Sequence, residues 1–366
     1  MAETGSDSRT SGRLHSLDYG RGIASLLVVI FHAYYLTAKP KYFDAAPLPF
    51  HVDWGARGVD FFFVLSGFII AYAHWNDLGR SNKLSGYLNK RWRRVYPIMW
   101  CVAIPFIAMS VAIRSEYVPK TVLGLAELSA TSLLLLPSPN LPVPVVLWTL
   151  KHEILFYAIF AGMIVRPRWM SGFLMLWVAA CFLHSGLTYP AGFLADFLFS
   201  PYNIEFALGV LCAAVARKRR IPFPTLLMIA GAIVLFAAAW FYEPVEFNVP
   251  WLTNATSLSQ ALQFGIGSAL LILGVVQRDF EGRNPRFPPA ALLGAASYSI
   301  YLVHFPVMSL VLKVLTIGAV KPHVQSFTAF LISVTAALIA GVLMHLWLEV
   351  PLLSLSKSPL APPKGD

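Results

Sequence analysis

Ten blocks of mainly apolar residues, each near the length that spans a bilayer as a helix, alternate with short polar segments. They cover approximately 17–36, 59–75, 96–113, 146–164, 170–187, 201–216, 222–241, 256–276, 291–312 and 324–347. An eleventh apolar stretch, 121–136, is shorter and runs into the proline-rich segment Pro137 to Pro144, which suits a re-entrant or interfacial element. The pattern predicts an all-α, polytopic membrane helix bundle of about ten transmembrane helices. The domain plan is a cytoplasmic tail over 1–16, one membrane domain over 17–350 and a second cytoplasmic tail over 351–366. The first block follows a polar start, as a secretory signal does. Asp18 and Arg21 intrude at its beginning and the small-residue site after it is weak, so it reads as a retained first span.

Composition supports this pattern. Hydrophobic residues make up 57% of the chain and charged residues 13%, with a mean hydropathy of +0.65. A water-soluble domain carries about a quarter charged residues, so an ordinary soluble core is excluded. The formal net charge is +10. The basic residues stand in short runs between apolar blocks and are not interleaved with stacking aromatics. They therefore point to loops facing anionic lipid, and not to nucleic acid.

With 121–136 treated as non-crossing, 19 of the 28 basic side chains fall on one set of alternate loops and 7 on the other. Arg21 and Lys151 lie within spans. The positive-inside rule then puts both termini in the cytoplasm. Cys101, Cys181 and Cys212 are far apart inside apolar blocks and read as packing residues, with no metal site and no disulfide framework.

Ionisable residues inside spans are costly and are candidates for function. The first span carries Asp18, Arg21 and His32. Arg21 and His32 are eleven residues apart, which places them about 20° from one face and about 16 Å along the axis. Ser25 falls near the same stripe. The fourth span opens Trp148-Thr149-Leu150-Lys151-His152-Glu153. If it runs inward, Glu153 lies at a depth comparable to His32, and a carboxylate beside an imidazole would fix its tautomer. Lys151 is on the other side of that helix and is expected to snorkel outward.

Four basic residues in the run Lys90-Arg91-Trp92-Arg93-Arg94 are dense enough to bind phosphate as well as to set topology. Ser297, Tyr301 and His304 share one helical face, which reads equally as a site or as a structural stripe. Glu349 ends the last span, where the helix dipole disfavours a carboxylate, so it needs a cation such as Arg91 or Arg94. Glu205 and Asp60 are further candidates, although Asp60 would also serve as a helix cap.

These segments together resemble the acyltransferase-3 family of membrane acyltransferases. The resemblance runs through Leu17 to Ala24 with His32, Gly58 to Phe68 with Asp60 and Ser66, and the basic run ending Tyr96-Pro97. It continues through Trp148-Thr149-Leu150 with Glu153 and Phe156-Tyr157, Glu205 to Gly209, Ser297 to His304, and Glu349-Val350-Pro351. Each motif is weak alone; seven in family order along nearly the whole chain are a strong signal.

The resemblance implies transfer of an acyl group, commonly acetyl, from cytoplasmic acyl-CoA to an extracytoplasmic or lipid-linked glycan. It carries the Arg-His pair onto Arg21 and His32 and the basic motif onto Arg91 and Arg94. The Trp-Thr-Leu segment looks most like the stand-alone exopolysaccharide acetyltransferases of the family, while Lys151-His152 departs from them. No hydrolase-like domain follows the membrane domain in this sequence, so a second transfer step would need another protein, for instance one of polysaccharide synthesis.

On this view CoA phosphates sit on Arg91 and Arg94, and Tyr298 and Tyr301 line the pantetheine arm. His32, held by Glu153, takes the acceptor's proton or first takes the acyl group itself. No metal is called for. The expected location is the bacterial inner membrane. Two other readings stay open: a small-molecule acyltransferase, for example one acting on a macrolide sugar, and a transporter.

Overall fold

Residues 14–113, 118–187, 191–218, 220–244, 256–285 and 287–355 are described by the computed structural model. Most of both tails therefore lies outside the described residues, as do Arg9, Arg13, Arg114, Arg219, Arg286, Lys357 and Lys364 of the charge pattern. The described residues fold into helices α1 (His15–Thr37), α2 (Gly58–Ala73), α3 (Leu84–Ala112), α4 (Val122–Leu133), α5 (Trp148–Val165), α6 (Pro167–Leu187) and α7 (Phe193–Leu198). They continue with α8 (Tyr202–Lys218), α9 (Pro224–Trp240), α10 (Leu258–Phe280), α11 (Pro288–Ala295), α12 (Ser297–Leu315), α13 (Ser326–Met344) and α14 (Val350–Leu355). No strand occurs among them.

Nine helical segments among the described residues are long and apolar enough to cross a membrane. With 17 residues, α9 sits at the lower limit for a crossing. The chain is an integral membrane protein. The sequence blocks and the helices differ most in the third span: α3 begins at Leu84, so the basic run lies on the helix itself. At 29 residues it is about 43 Å long and outreaches the ~30 Å hydrocarbon core.

α4 has 12 residues, about 18 Å of helix, and is too short to cross. Non-helical backbone at membrane depth needs protein partners, and α4 finds them. The Trp100 indole donates to the Leu133 carbonyl at 2.8 Å and the Tyr96 hydroxyl to the Leu134 carbonyl at 3.2 Å. On the return strand of chain, Val143 N donates to Ser132 Oγ at 3.0 Å.

Small residues let the central helices approach closely. A Cβ on Gly67 would strike the Phe206 carbonyl, and one on Gly209 the Val64 carbonyl, so α2 and α8 pack backbone to backbone. Phe156 and Phe206 stack beside this contact with centroids 4.7 Å apart. The helix expected over 291–312 breaks at Ala296 into α11 and α12. α11 lies on α1, where Gly294 meets the Asp18 carbonyl. A π-helical turn at His345–Glu349 swings Glu349 into the bundle, where it is fully buried.

Candidate active site

Helices α1, α2, α3, α5 and α12 enclose a cavity of about 180 Å³. Its wall carries Arg21, Ser66, Arg91, Arg94, Glu153, Ser297, Tyr298 and Tyr301, residues from every segment that pointed to chemistry in the first half of the chain and in α12. Thr149 and Tyr157 join them, with Phe62, Phe63 and Leu65 among the apolar members. His32, His304, Asp18, Asp60, Trp148, Glu205 and Glu349 lie outside that wall.

The cavity is cationic at the end bearing the basic run. Arg94 pairs with Glu349, so one of the two arginines expected to compensate this carboxylate does so. Glu349 also accepts from Ser299 Oγ at 2.7 Å and sits 2.8 Å from His345 Nδ1. The Arg94 guanidinium stacks 5.0 Å from the Tyr298 ring, and the Tyr298 hydroxyl donates to the Val95 carbonyl at 2.7 Å. Arg21 lies 3.8 Å from Asp18.

Arg91 differs from its neighbours. It sits over the Tyr87 and Tyr157 rings at 5.9 and 5.8 Å, its Nε is buried without a hydrogen-bond partner, and no carboxylate among the described residues pairs with it. Planar guanidiniums held on aromatic faces with free N–H groups match phosphate oxygens bidentately.

Halfway along, Glu153 accepts from Ser66 Oγ at 3.0 Å and from the Tyr157 hydroxyl. At the far end, the Tyr301 hydroxyl donates to the Val146 carbonyl at 3.0 Å and lies 2.9 Å from Thr149 Oγ1. One turn further along α12 is His304, whose Nε2 lies 3.2 Å from Nδ1 of His32.

Four expectations are corrected by these contacts. His32 meets His304 and not Glu153, because α2 and α12 flank α1, whereas α5 packs on α2, α3, α6 and α8. Lys151 does not snorkel outward; it is 6% exposed, since its side of α5 is covered by protein. Asp60 does not cap α2 but pairs with Arg57, the residue before the helix. Arg57, counted among loop charges, is buried.

Arg57 also donates to Tyr202 Oη at 3.2 Å and Thr256 Oγ1 at 2.7 Å. Glu205, fully buried, is a carboxyl neighbour of Asp60 in this cluster, with neither of its oxygens hydrogen-bonded among the described residues. Spacing offered one signal for it: Arg57 and Asp60 stand three apart. Trp148 packs as an aromatic, 5.2 Å from the Tyr202 ring. Among the described residues no group of three His, Cys, Asp or Glu side chains is placed to hold a metal.

The profile of the family described as acyltransferase domain matches residues 14–346. The exopolysaccharide production protein ExoZ of Rhizobium meliloti is 33% identical over 321 residues, 83% of this chain and 91% of that protein. Acyltransferase MdmB of Streptomyces mycarofaciens is 26% identical over 94% of this chain and 92% of its own length. The peptidoglycan O-acetyltransferase OatA of Listeria monocytogenes is 25% identical over 92% of this chain, which spans 55% of that protein. No solved structure matches. With a profile match over nearly the whole chain and a bundle that brings Arg21, Ser66, Arg91, Arg94, Glu153 and Tyr301 to one cavity, the protein is a membrane O-acyltransferase of the acyltransferase-3 family.

Proposed function

We propose that the protein moves an acyl group, acetyl in the first instance, from cytoplasmic acyl-CoA to a hydroxyl of an extracytoplasmic or lipid-linked glycan. The observation that carries this reading is the polarity of the cavity: three arginines at one end, a belt of hydroxyls at the other, and an imidazole pair beyond it. The relatives named for exopolysaccharide production and peptidoglycan O-acetylation support a glycan as acceptor. The charge asymmetry supports a placement with both termini and the basic end cytoplasmic, and the bacterial relatives support an inner membrane.

The donor's phosphates lie against Arg91, with Arg94 and Arg21 beside it. The pantetheine arm runs past Tyr298 and Tyr301. Arg21 thus belongs to the donor end, about 16 Å along α1 from His32. Glu153 orders Ser66 and Tyr157 in the cavity wall. His32 takes the proton of the acceptor hydroxyl as its oxygen attacks the thioester carbonyl. The thiolate of CoA leaves and recovers that proton. The bundle interior excludes water, which would otherwise compete as acceptor.

The test is incubation of purified protein with radiolabelled acetyl-CoA and a panel of exopolysaccharide oligosaccharides, peptidoglycan fragments and a macrolide. Base-labile label on a glycan is the expected result. Label on the macrolide alone would favour small-molecule acylation, and no label on any acceptor would overturn the reading.

Two further outcomes are expected. Arg91→Lys and Arg94→Lys keep the charge and lose the fork, so the apparent donor affinity should fall about tenfold, one charge-assisted hydrogen bond of roughly 1.5–3 kcal/mol. Acceptor affinity should hold. Donor titration of initial rates measures both; wild-type values for both variants would reduce the basic run to a topology signal. The orientation is measured with Arg220→Cys, Arg283→Cys and Lys41→Cys on a cysteine-free background. An impermeant maleimide should label position 41 in intact cells, and positions 220 and 283 after permeabilisation only. The reverse pattern would invert the donor side.

A further inference from the structure

The two imidazoles are held in one tautomeric arrangement. His304 Nδ1 lies 3.1 Å from the Ile300 carbonyl, one turn back on its own helix, and a carbonyl only accepts, so this nitrogen carries the proton. Nε2 of His304 is therefore a bare acceptor. It faces His32 Nδ1 at 3.2 Å, and the same Nδ1 lies 3.0 Å from the Val28 carbonyl. Two acceptors around one nitrogen place a proton on His32 Nδ1, shared between them. His32 Nε2 is then the unprotonated nitrogen, and it has no partner among the described residues. The ring is held in place by Phe31 and Phe305, with centroids 4.9 and 5.8 Å away.

Resting on the proposed role of His32 as base, we propose that His304 is the positioning residue of the reaction: it fixes His32 in the Nδ1–H tautomer and stabilises the imidazolium that forms when Nε2 takes the acceptor's proton. As that charge develops, the hydrogen bond from His32 Nδ1–H to His304 Nε2 becomes charge-assisted and strengthens. A carboxylate in this place would have to be buried as an ion in the resting protein, which costs several kcal/mol unless paired. A second neutral imidazole carries no such penalty, and its polarisable lone pair acts when the charge appears. His304 is 0% exposed, and its hydrogen-bonding partners among the described residues are His32 and the Ile300 carbonyl; the Tyr301 ring lies on the cavity side with its centroid 5.6 Å away. α12 thereby presents Tyr301 to the donor cavity and His304 to the base.

The test compares His304→Leu, His304→Gln and His304→Asn in the radiolabelled acetyl-CoA assay, with the best oligosaccharide acceptor of the panel above. Glutamine places its amide as far along the side chain as Nε2 of the imidazole, and its oxygen accepts from His32 Nδ1–H. Asparagine reaches only the level of Nδ1, and leucine accepts nothing. The expected result is a kcat for the glutamine variant at least about tenfold above those of leucine and asparagine, with donor and acceptor KM unchanged. On a His32→Ala background, the three variants should be indistinguishable.

A kcat for leucine or asparagine within a few-fold of wild type overturns the proposal. So does an equal loss in all three variants at normal accumulation, which makes His304 a packing residue only. If the leucine variant does not accumulate, the glutamine–asparagine contrast decides on the same criterion. Full activity of His32→Ala alone would instead sink the role of His32 itself.

Discussion

His32→Ala is expected to lower kcat by about 10³-fold, within the range general-base catalysis supplies, while the protein inserts and accumulates normally. His32 is held by Val28, His304 and two aromatic rings, and its Nε2 has no partner among the described residues. Removing the ring deletes a base without stranding a charge, since both imidazoles are neutral in this arrangement. Accumulation should therefore be preserved and only turnover lost, with little change in donor KM because the arginines lie at the other end of the cavity. Steady-state rates with varied donor, beside detergent size-exclusion profiles, separate the two effects. Retention of most of the wild-type kcat would remove His32 from the chemistry.

Arg57→Met is expected to act in the opposite way, on stability. Arg57 is 5% exposed and is the cation facing Asp60 and Glu205, both 0% exposed. Breaking a buried pair by removing one partner costs about 3–5 kcal/mol, because the other charge stays buried and uncompensated. Asp60 Oδ2 and both oxygens of Glu205 already lack hydrogen-bond donors among the described residues, so no described donor stands in for the guanidinium. The variant should lose most of its folded yield. Adding Asp60→Asn should recover part of it, since the double variant removes a stranded charge together with its partner. Thermal unfolding in detergent measures this cycle. Equal stability of wild type and Arg57→Met would show that the cluster contributes nothing.

The span pattern was legible along the chain because apolar length is a one-dimensional property and a bilayer reads it directly. The need of Glu349 for a cation was also anticipated, but on another ground: the helix does not end there, since α14 carries it on to Leu355, and burial in the bundle is what calls for Arg94. The partner of His32 was not. Depth along α1 and α5 matched well enough for Glu153 to qualify, but residue spacing says nothing about which helices stand side by side, and α12 takes that place. Arg57 escaped for the same reason. By position it is a loop residue, and only the fold of the segment before α2 turns it inward onto Asp60, Tyr202 and Thr256. Lys151 was misplaced because α5 lacks a lipid face at that level. The short α4 was recognisable as a non-crossing element by its length and the prolines after it, whereas the tryptophan and tyrosine that satisfy its end come from α3, far away in sequence.

In the proposed reaction one bundle joins a donor on the cytoplasmic side to an acceptor on the other. Proteoliposomes of known orientation test it most directly. Radiolabelled acetyl-CoA is supplied on the side of Arg283, and an oligosaccharide acceptor is sealed on the opposite side. The predicted result is ester-linked label on the sealed acceptor, abolished by His32→Ala and absent when donor and acceptor sides are exchanged. Label appearing only when both substrates share one side would contradict it.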